Sequence, residues 1–299
     1  MAQGELKEKV RQFWNEQSCD TQVARAAKFS REYFEEIENF RYRDQPFIHA
    51  FAQFTRARGL KVLEVGVGAG TDFIQWLRAG ALASGIDLTQ EAVANVTHRI
   101  QLYGLPQPQH LCVADAENLP FPSNSFDLGY SFGVLHHSPD TVKAVAELMR
   151  VVRPGGELKM MLYNRHSIYI ANQWIKHALL KGRPWKSLSW ILFHHMESLG
   201  TKGYTRDELA RWLGSLGLQN IRIHTEVTSA DYLSGSALPP LNWCNRFLLR
   251  LAGCFQDWNS ITYVERGAKP PTVRHGREPR FSGNRFGFFH CITALKANS

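Results

Sequence analysis

Three glycines alternate with other residues directly after a short apolar run of the sequence. Gly66, Gly68 and Gly70 follow the run KVLEV, and the acidic residue Glu64 stands just before the first of them. Glycines at this spacing let the backbone turn sharply and approach a ligand closely. The helix that we predict after them begins with backbone N–H groups that have no partner within the helix. This segment is therefore a candidate nucleotide-binding turn.

The spacing of the glycines distinguishes two classes of nucleotide ligand. Dinucleotide enzymes use G-x-G-x-x-G, which brings a pyrophosphate against the start of the helix. Here Gly70 comes one residue earlier, and a carboxylate at Glu64 would repel a pyrophosphate. A carboxylate suits S-adenosylmethionine, which carries an ammonium and a sulfonium charge. The pattern favours this ligand, with dinucleotide binding and a plain tight turn as the alternatives.

Two further acidic residues follow later apolar runs. Asp87 lies about twenty residues after the glycines, where a carboxylate accepts hydrogen bonds from both ribose hydroxyls of a nucleotide. The alternative role for Asp87 is a helix N-cap. Asp115 comes at the end of the next run. There its side chain can accept the adenine amino group, while a neighbouring backbone N–H donates to the ring.

A pair of histidines follows the fourth apolar run. His136 and His137 come after the segment FDLGYSFGVL, on the side where a reacting methyl group would lie. A methyl transfer needs a base only when the nucleophile carries a proton of high pKa. The imidazole pKa of about 6.5 suits that task. We predict that His136 or His137 is this base, and the alternative is that the two polar residues simply begin a helix.

The elements that position these residues follow from apolar runs that alternate with helical patterns. Strands are predicted at residues 61–65, 83–87, 110–114, 126–131 and 157–163, helices at 73–79, 91–103 and 140–150, and a turn at 153–156. Strands separated by helices of about 10–15 residues require right-handed crossovers and a parallel sheet with helices on both faces. The sequence therefore predicts an α/β fold with a doubly wound, mostly parallel sheet.

Further elements are predicted before and after this core. They are helices at 5–17 and 28–42, apolar helical stretches within 164–203, a helix from Thr205, a strand at 220–224, a helical stretch at 248–255, a loop at 266–284 and a strand at 286–295. Thr205 and Glu208 have the spacing of a capping box. The predicted sheet thus has seven strands.

The predicted elements divide the chain into four segments. They are an N-terminal helical cap (1–55), the α/β core (56–163), a helical insertion over the active site (164–203) and a C-terminal completion of the sheet (204–299).

The composition excludes several classes of protein. Hydrophobic residues make up 44% and charged residues 21% of the 299, which is ordinary for a globular protein. No apolar stretch approaches the roughly 20 residues of a membrane-spanning helix, and the start lacks the apolar core of a signal peptide. The five cysteines are scattered, which supports neither a disulfide framework nor a zinc site, and we predict no metal. We expect a soluble, cytoplasmic protein.

Several stretches occur in a fixed order between Val62 and Gly156, namely VLEVGVGAGTD, GIDL, ADAENLPFPSNSFD, GVLHH and RVVRPGG. Together they resemble the class I S-adenosylmethionine-dependent methyltransferases, especially the type 11 group that includes the ubiquinone and menaquinone methyltransferases. The resemblance implies a Rossmann-like methyltransferase fold and S-adenosylmethionine as cofactor. Val67 stands where many relatives have a small or polar residue, and we expect its side chain to point away.

The same resemblance implies which residues hold each part of the cofactor. The implied cofactor-binding residues are Glu64, Gly66, Gly68, Gly70 and Asp72 for the methionine and ribose part, Asp87 and Leu88 for the ribose, Asp115 and Ala116 for the adenine, and Phe132 and Gly133 near the methionine.

The methyl acceptor must be held by residues outside these stretches. The candidates are Tyr33, Arg41 and Tyr42 from the N-terminal helices, and Tyr163, Arg165 and His166 after the fifth strand. Helix packing is the alternative role of the aromatic residues. Cys19 is rejected as a thiol nucleophile because no other cysteine lies near it in the sequence.

The charge of the chain is unevenly distributed, which bears on the acceptor. Residues 1–150 contain 15 basic and 18 acidic side chains, whereas residues 151–299 contain 20 and 9. A small-molecule acceptor methylated on O, N, S or C is the favoured reading. An RNA or protein methyltransferase is the first alternative, although Phe132-Gly133-Val134-Leu135 stands where adenine-amine enzymes carry Asn/Asp-Pro-Pro-aromatic, so a nucleic-acid partner is disfavoured. A non-catalytic protein that kept the cofactor fold is the second.

Overall fold

The computed structural model describes residues 2–231, 247, 260–264, 273–277 and 285–298. The chain forms two compact units. The first comprises Met1–Lys159 with Asn298–Ser299, and the second comprises Met160–Ala297. The predicted division into four segments, including an insertion that covers the active site, stays a prediction.

The first unit contains the helices and strands around the glycine-rich turn. Its helices are α1 (Gln3–Glu16), α2 (Arg31–Asp44), α3 (Ile48–Ala52), α4 (Phe73–Arg78), α5 (Gln90–Tyr103) and α6 (Thr141–Val151). Its strands are β1 (Lys61–Val65), β2 (Leu82–Asp87), β3 (His110–Val113), β4 (Phe126–Phe132) and the first part of β5 (Val152–Tyr163). Short 3₁₀ turns lie at Thr21–Val23, Phe54–Ala57 and Leu135–His137.

The strands of the first unit pair in the order β3-β2-β1-β4-β5. Strand β1 is parallel to both β2 and β4, with Val62 opposite Ala83 on one side and Leu128 on the other. Because parallel strands are covered on both faces, β1 has successive buried residues from Val62 to Val65 and no alternation of buried and exposed residues. The carboxyl ends of β1, β2, β3 and β4 meet at one edge of the sheet, called the carboxyl edge below.

The second unit combines helices with antiparallel strands. Its elements are α7 (Ile168–His177), α8 (Leu188–His195), α9 (Arg206–Ser215), β6 (Leu218–Glu226), β7 (Ser260–Val264), β8 (Val273–Arg277) and β9 (Phe289–Lys296). The strands pair in the order β9-β6-β7-β8. The predicted capping box is present at α9, since the Thr205 side chain accepts from the Glu208 N–H and the Glu208 side chain from the Thr205 N–H.

All seven predicted strands are present, and two were not predicted. Strand β7 had no prediction, and β8 lies inside residues 266–284, so the predicted loop is wrong at Val273–Arg277. Both are five-residue strands. Strand β7 is held by antiparallel pairing to β6, and β8 is held by antiparallel pairing to β7. Such pairing is decided by distant backbone partners, which a short local pattern does not reveal. The helical stretch predicted at 248–255 lies outside the described residues.

The predicted turn at 153–156 is also wrong. Helix α6 passes directly into β5 at Val152, whose backbone is already extended. Gly155 has φ +70°, and a Cβ atom on Gly156 would come within 2.9 Å of the Asp127 carbonyl oxygen. The two glycines therefore let the strand continue while it passes close to the beginning of β4, instead of turning the chain.

No helix among the described residues is long and apolar enough to cross a membrane.

Candidate cofactor site

The glycine-rich turn leaves β1 at the carboxyl edge in a conformation that requires glycine. Gly66, Gly68 and Gly70 have φ values of +85°, +50° and +77°. A Cβ atom on Gly70 would lie 2.9 Å from the Val96 side chain, and one on Gly66 would overlap the side chain of Val134. The backbone conformation and the lack of space thus both exclude larger residues from this turn.

The middle glycine faces open space. A Cβ atom on Gly68 would meet nothing nearer than the Cβ of Cys19, at 3.9 Å. The neighbouring side chain of Val67 is buried and lies against Gly85 of β2, which confirms that it points away from this space. The backbone at Gly68 is therefore open to close approach by a ligand.

Asp87 at the end of β2 is fastened to the turn. Its Oδ2 accepts a hydrogen bond of 3.1 Å from the Gly68 N–H, and its Oδ1 accepts from the N–H and hydroxyl of Thr89. Burial raises the pKa of Asp87, while these hydrogen bonds oppose the shift. Thr89 is the N-cap of α5, so the alternative role of Asp87 as that cap is wrong. A carboxylate accepts about four hydrogen bonds, which leaves capacity for a ligand; Leu88 beside it is half-buried.

Asp115 after β3 is paired with a lysine of α1. Lys7 Nζ lies 2.6 Å from Asp115 Oδ2 and 2.7 Å from Glu117 Oε2. Burial acts to lower the pKa of Lys7, but the hydrogen bonds that its ammonium donates to both carboxylates, and their negative charges, outweigh burial and raise the pKa. Asp115 Oδ1 accepts from the Glu117 N–H, and Ala116 between them is buried. Helix α1 thus contacts the segment predicted to hold the adenine.

Glu64 is buried inside β1 rather than exposed at the turn. Its Oε2 accepts a 2.8 Å hydrogen bond from Trp76 Nε1. Burial, followed by the nearby negative charge of Asp72, raises the pKa of Glu64 well above its usual range. Burial favours the neutral carboxylic acid, so the argument from the sequence that a charged Glu64 repels pyrophosphate is weakened.

Asp72 is the centre of a buried network that ties α2 to the turn. Its carboxylate accepts from Arg41 Nε and Nη2 at 3.1 and 2.8 Å, from the Tyr42 hydroxyl at 3.2 Å and from the Tyr130 hydroxyl at 2.8 Å. Burial acts to raise the pKa of Asp72, but the Arg41 charge and these hydrogen bonds outweigh it and lower the pKa. Both Arg41 and Tyr42 were predicted to contact the acceptor; here each instead bonds Asp72.

Two other predicted residues border this network. Phe132 at the end of β4 is buried, and the Arg41 guanidinium lies over its ring at 5.1 Å. Gly133 follows with φ +78° and is half-buried. Tyr33 lies in an apolar cluster with Phe34, Ile37 and Ala69, which favours the packing role for its ring.

His136 and His137 occupy the 3₁₀ turn after β4. Their rings are 4.3 Å apart, and the His137 ring lies 5.1 Å from that of Trp14 in α1. His136 is 0% exposed and His137 is 4% exposed. A general base must come within hydrogen-bond reach of the proton it removes. A catalytic role for either histidine stays a prediction.

The remaining predicted acceptor residues belong to the second unit. The Tyr163 hydroxyl donates to Glu197 Oε2 at 2.8 Å, and its ring stacks on Phe288. Arg165 forms an ion pair with Glu208 and donates to the Gly203 carbonyl. His166 is exposed. Their roles in acceptor binding stay predictions.

Comparison with known proteins identifies the part of the chain that carries this geometry. Residues 63–160 match the family model described as the methyltransferase domain. These residues are a methyltransferase domain. The match confirms the resemblance to the class I methyltransferases, whose cofactor is S-adenosylmethionine.

Curated relatives resemble the same part of the chain. A phosphatidylethanolamine N-methyltransferase of Cereibacter sphaeroides is 35% identical over 107 residues, which are 36% of this chain and 52% of that protein. A phthiotriol/phenolphthiotriol dimycocerosates methyltransferase 1 of Mycobacterium ulcerans is 36% identical over 145 residues, which are 47% of this chain and 50% of that protein. The chain thus spans about half the length of these two relatives.

A solved structure resembles the chain over almost its whole length. The crystal structure of magnesium protoporphyrin IX methyltransferase from Synechocystis PCC 6803 with bound SAH has a TM-score of 0.55 and 13% identity. The likeness covers 97% of this chain and 100% of that chain. It concerns the fold alone, and it confirms the predicted Rossmann-like methyltransferase fold.

The sequence reasoning missed a buried arginine in the methyltransferase domain. Arg99 of α5 donates to the Ala69 carbonyl and the Thr71 hydroxyl of the turn, and to Glu38 Oε2 of α2 at 2.6 Å. Its signal was in the sequence, since Arg99 falls on the apolar face of a predicted helix with Val96 and is fully buried there. A cation on such a face needs a partner, which points to a structural ion pair.

The second unit contains a buried cluster outside the methyltransferase domain. His224 and Glu226 of β6 lie near Arg206 of α9, whose Nε donates to Thr225 Oγ1 at 2.8 Å. Burial, opposed by the Arg206 charge, raises the pKa of Glu226 to about 7. Burial and the same Arg206 charge lower the pKa of His224 to about 3.

Replacing Glu226 with glutamine is expected to change the pH dependence of stability. Because the folded pKa of Glu226 is raised to about 7, the folded state keeps a proton that the unfolded state has lost. Stability therefore falls as pH rises from about 4.5 to 7, by about 3 kcal/mol in total. The contribution of His224 is common to both proteins and cancels in their difference. Urea unfolding at pH 5 and pH 8 should show Glu226→Gln stabilised at pH 8 only, whereas Glu16→Gln at the exposed end of α1 should show no such change.

Proposed function

We propose that this chain is an S-adenosylmethionine-dependent methyltransferase that transfers a methyl group to O, N, S or C of a small-molecule acceptor. The observation that carries the proposal is the bond between Gly68 N–H and Asp87 Oδ2. It joins the open turn after β1 to the acidic end of β2. A nucleoside can lie against the turn while one of its ribose hydroxyls donates to the Asp87 carboxylate, which already accepts three hydrogen bonds.

The carboxyl edge supplies a binding group for each part of the cofactor. Gly66, Gly68 and Gly70 offer backbone at close range, and Asp115 lies at the end of the neighbouring strand. When bound, S-adenosylmethionine supplies an electrophilic methyl group, so the protein needs only modest further chemistry. Its residues hold the acceptor in line and exclude water, which accounts for several kcal/mol of the barrier.

Two observations bear on the acceptor. His136 and His137 lie in the turn after β4, and either is a candidate to remove a proton from an acceptor with a high pKa. The curated relatives are named for acceptors with large hydrophobic parts, namely phosphatidylethanolamine and phthiotriol dimycocerosates. These names support an acceptor with a hydrophobic part.

We infer that the protein works in the cytoplasm, a reducing compartment in which the thiols of Cys112 and Cys291 stay reduced.

Replacing Asp87 with alanine is expected to weaken S-adenosylmethionine binding about 10- to 100-fold, since a hydrogen bond to a charged group contributes about 1.5–3 kcal/mol. Isothermal titration calorimetry with S-adenosylmethionine and with S-adenosylhomocysteine measures the change. The matched control is Asp127→Ala, because Asp127 lies at the opposite, amino end of β4 and bonds the Lys61 N–H.

Equal affinity of Asp87→Ala and the unmodified protein would remove Asp87 from the ribose site. The reaction itself is tested by incubation with S-adenosylmethionine and a metabolite extract, followed by measurement of S-adenosylhomocysteine. Cofactor binding without its conversion would favour a non-catalytic protein. Methyl transfer to added RNA or protein, with none to metabolites, would favour the alternative acceptor class.

A further inference from the structure

The connection between α7 and α8 combines positive charge with exposed apolar side chains. We call residues 175–186, with the sequence IKHALLKGRPWK, the basic apolar turn. No Asp or Glu occurs anywhere from Leu158 to Met196. The turn itself contains four cations, Lys176, Lys181, Arg183 and Lys186. It is therefore a locally uncompensated positive segment along the chain.

Large apolar side chains of the same turn face solvent. Leu180 is 75% exposed and Trp185 is 74% exposed, and Ile175 and Leu179 are also exposed. Single exposed apolar residues are common on protein surfaces, but several close together mark an interaction surface. The cost of leaving these side chains in water suggests that the turn has a partner that removes them from it.

The exposed side chains project from a well-bonded backbone. Trp174 Nε1 donates to the Lys186 carbonyl at 2.6 Å, which connects the two ends of the turn. The Arg183 N–H donates to the Ala178 carbonyl at 2.9 Å, and the Ala178 side chain is buried beneath the turn. The fold thus holds Leu180 and Trp185 outward on a preformed support.

We propose that the basic apolar turn binds the surface of an anionic lipid bilayer. Aliphatic side chains and a tryptophan insert into the boundary between headgroups and acyl chains, while lysines and arginines contact the phosphates. A nucleic acid would use the cations and could stack on Trp185, but it offers nothing to the exposed leucines. The combination of Leu180 with flanking cations therefore favours a membrane surface over RNA.

This proposal does not depend on methyl transfer. It places the protein against a membrane whose cytoplasmic leaflet is negatively charged, which attracts each nearby lysine or arginine. Its failure would leave the cofactor site untouched, and failure of the methyltransferase proposal would leave the turn as it is.

The test is co-sedimentation of the full chain with extruded vesicles. Partitioning to vesicles of 30% phosphatidylglycerol in phosphatidylcholine should exceed that to pure phosphatidylcholine by about 100-fold or more, because each of the four cations contributes about fivefold. Lys181→Gln/Arg183→Gln should reduce it about 25-fold, since each cation contributes about fivefold. Leu180→Ser/Trp185→Ser should reduce it about tenfold or more through lost apolar insertion.

The matched control is Val142→Ser/Lys143→Gln, which removes an exposed apolar side chain and a neighbouring cation from α6. It should partition like the unmodified protein, and circular dichroism with the urea unfolding midpoint reports that each variant is folded. No preference for anionic vesicles would overturn the proposal. Partitioning that falls in Lys181→Gln/Arg183→Gln but not in Leu180→Ser/Trp185→Ser would also overturn the proposal, because that result indicates electrostatic adsorption without insertion. The turn would instead be assigned to nucleic acid by three results together. The protein would bind labelled RNA in a salt-sensitive way, Lys181→Gln/Arg183→Gln would lose this binding, and the unmodified protein would not bind vesicles.

Discussion

Replacing Asp72 with alanine is expected to lower the free energy of unfolding by about 3–5 kcal/mol. The side chain of Asp72 is 2% exposed and that of its partner Arg41 is 11% exposed. Without Asp72, the Arg41 guanidinium stays buried without its principal counter-charge, and the Tyr130 hydroxyl loses its acceptor, whereas the Tyr42 hydroxyl keeps the Thr71 carbonyl. Because Asp72 begins α4 directly after the glycine-rich turn, cofactor affinity should fall as well. Urea unfolding followed by tryptophan fluorescence measures the first effect, and calorimetry measures the second.

A triple variant separates the lost ion pairs from a general loss of packing. Arg41→Met/Asp20→Asn/Asp72→Ala removes the Arg41 charge together with both carboxylates that pair with it, so it should be more stable than Asp72→Ala alone. Asp127→Ala is the control for an exposed pair, since Arg153 beside it is half exposed, and it should cost about 1 kcal/mol or less. Equal stability of Asp72→Ala and Asp127→Ala would show that the buried network contributes little.

Replacing Arg99 with methionine is expected to destabilise the first unit by about 2–4 kcal/mol, because buried acceptors lose their donor. The side chain is 0% exposed, and its loss leaves Glu38, the Ala69 carbonyl and the Thr71 hydroxyl without a donor from α5. Since Ala69 and Thr71 belong to the turn, the variant should also bind S-adenosylmethionine more weakly than the unmodified protein.

The chain offers a matched control for this substitution. Arg78 pairs with the same carboxylate, Glu38, but its side chain is 36% exposed. Arg78→Met should therefore cost about 1 kcal/mol or less, because water screens the exposed pair. If the two variants had the same unfolding midpoint in urea, burial would not govern the strength of the Glu38 pairs, and the argument for Arg99 would fail.

The core of the fold could be predicted because the residue patterns that specify its elements lie within short stretches of sequence. The buried run of β1 was placed at its observed bounds, Lys61–Val65, since a parallel strand covered on both faces has apolar residues in succession, here Val62 and Leu63. The capping box of α9 was equally readable, because Thr205 and Glu208 act within a single turn of helix. By contrast, β8 depends on pairing with β7, and nothing within its five residues specifies that partner.

The site was predictable in part for the same reason. The spacing of the glycines predicted a turn. Asp87 lies against this turn because the neighbouring parallel strands β1 and β2 end at the same edge of the sheet. The sequence predicted that Arg41 and Tyr42 contact the acceptor, and this stays a prediction. The structure shows both bonded to Asp72, an arrangement that depends on the packing of α2 against α4.

The sequence by itself determined the class of fold and the kind of ligand, because glycine spacing and the order of acidic residues reflect local backbone geometry. Only the tertiary structure decided which charges are buried. It placed Glu64 inside the sheet with a raised pKa, and it paired Arg99 with Glu38 across two helices. Desolvation and ion pairing depend on everything that surrounds a side chain, and residues distant in sequence supply most of those surroundings.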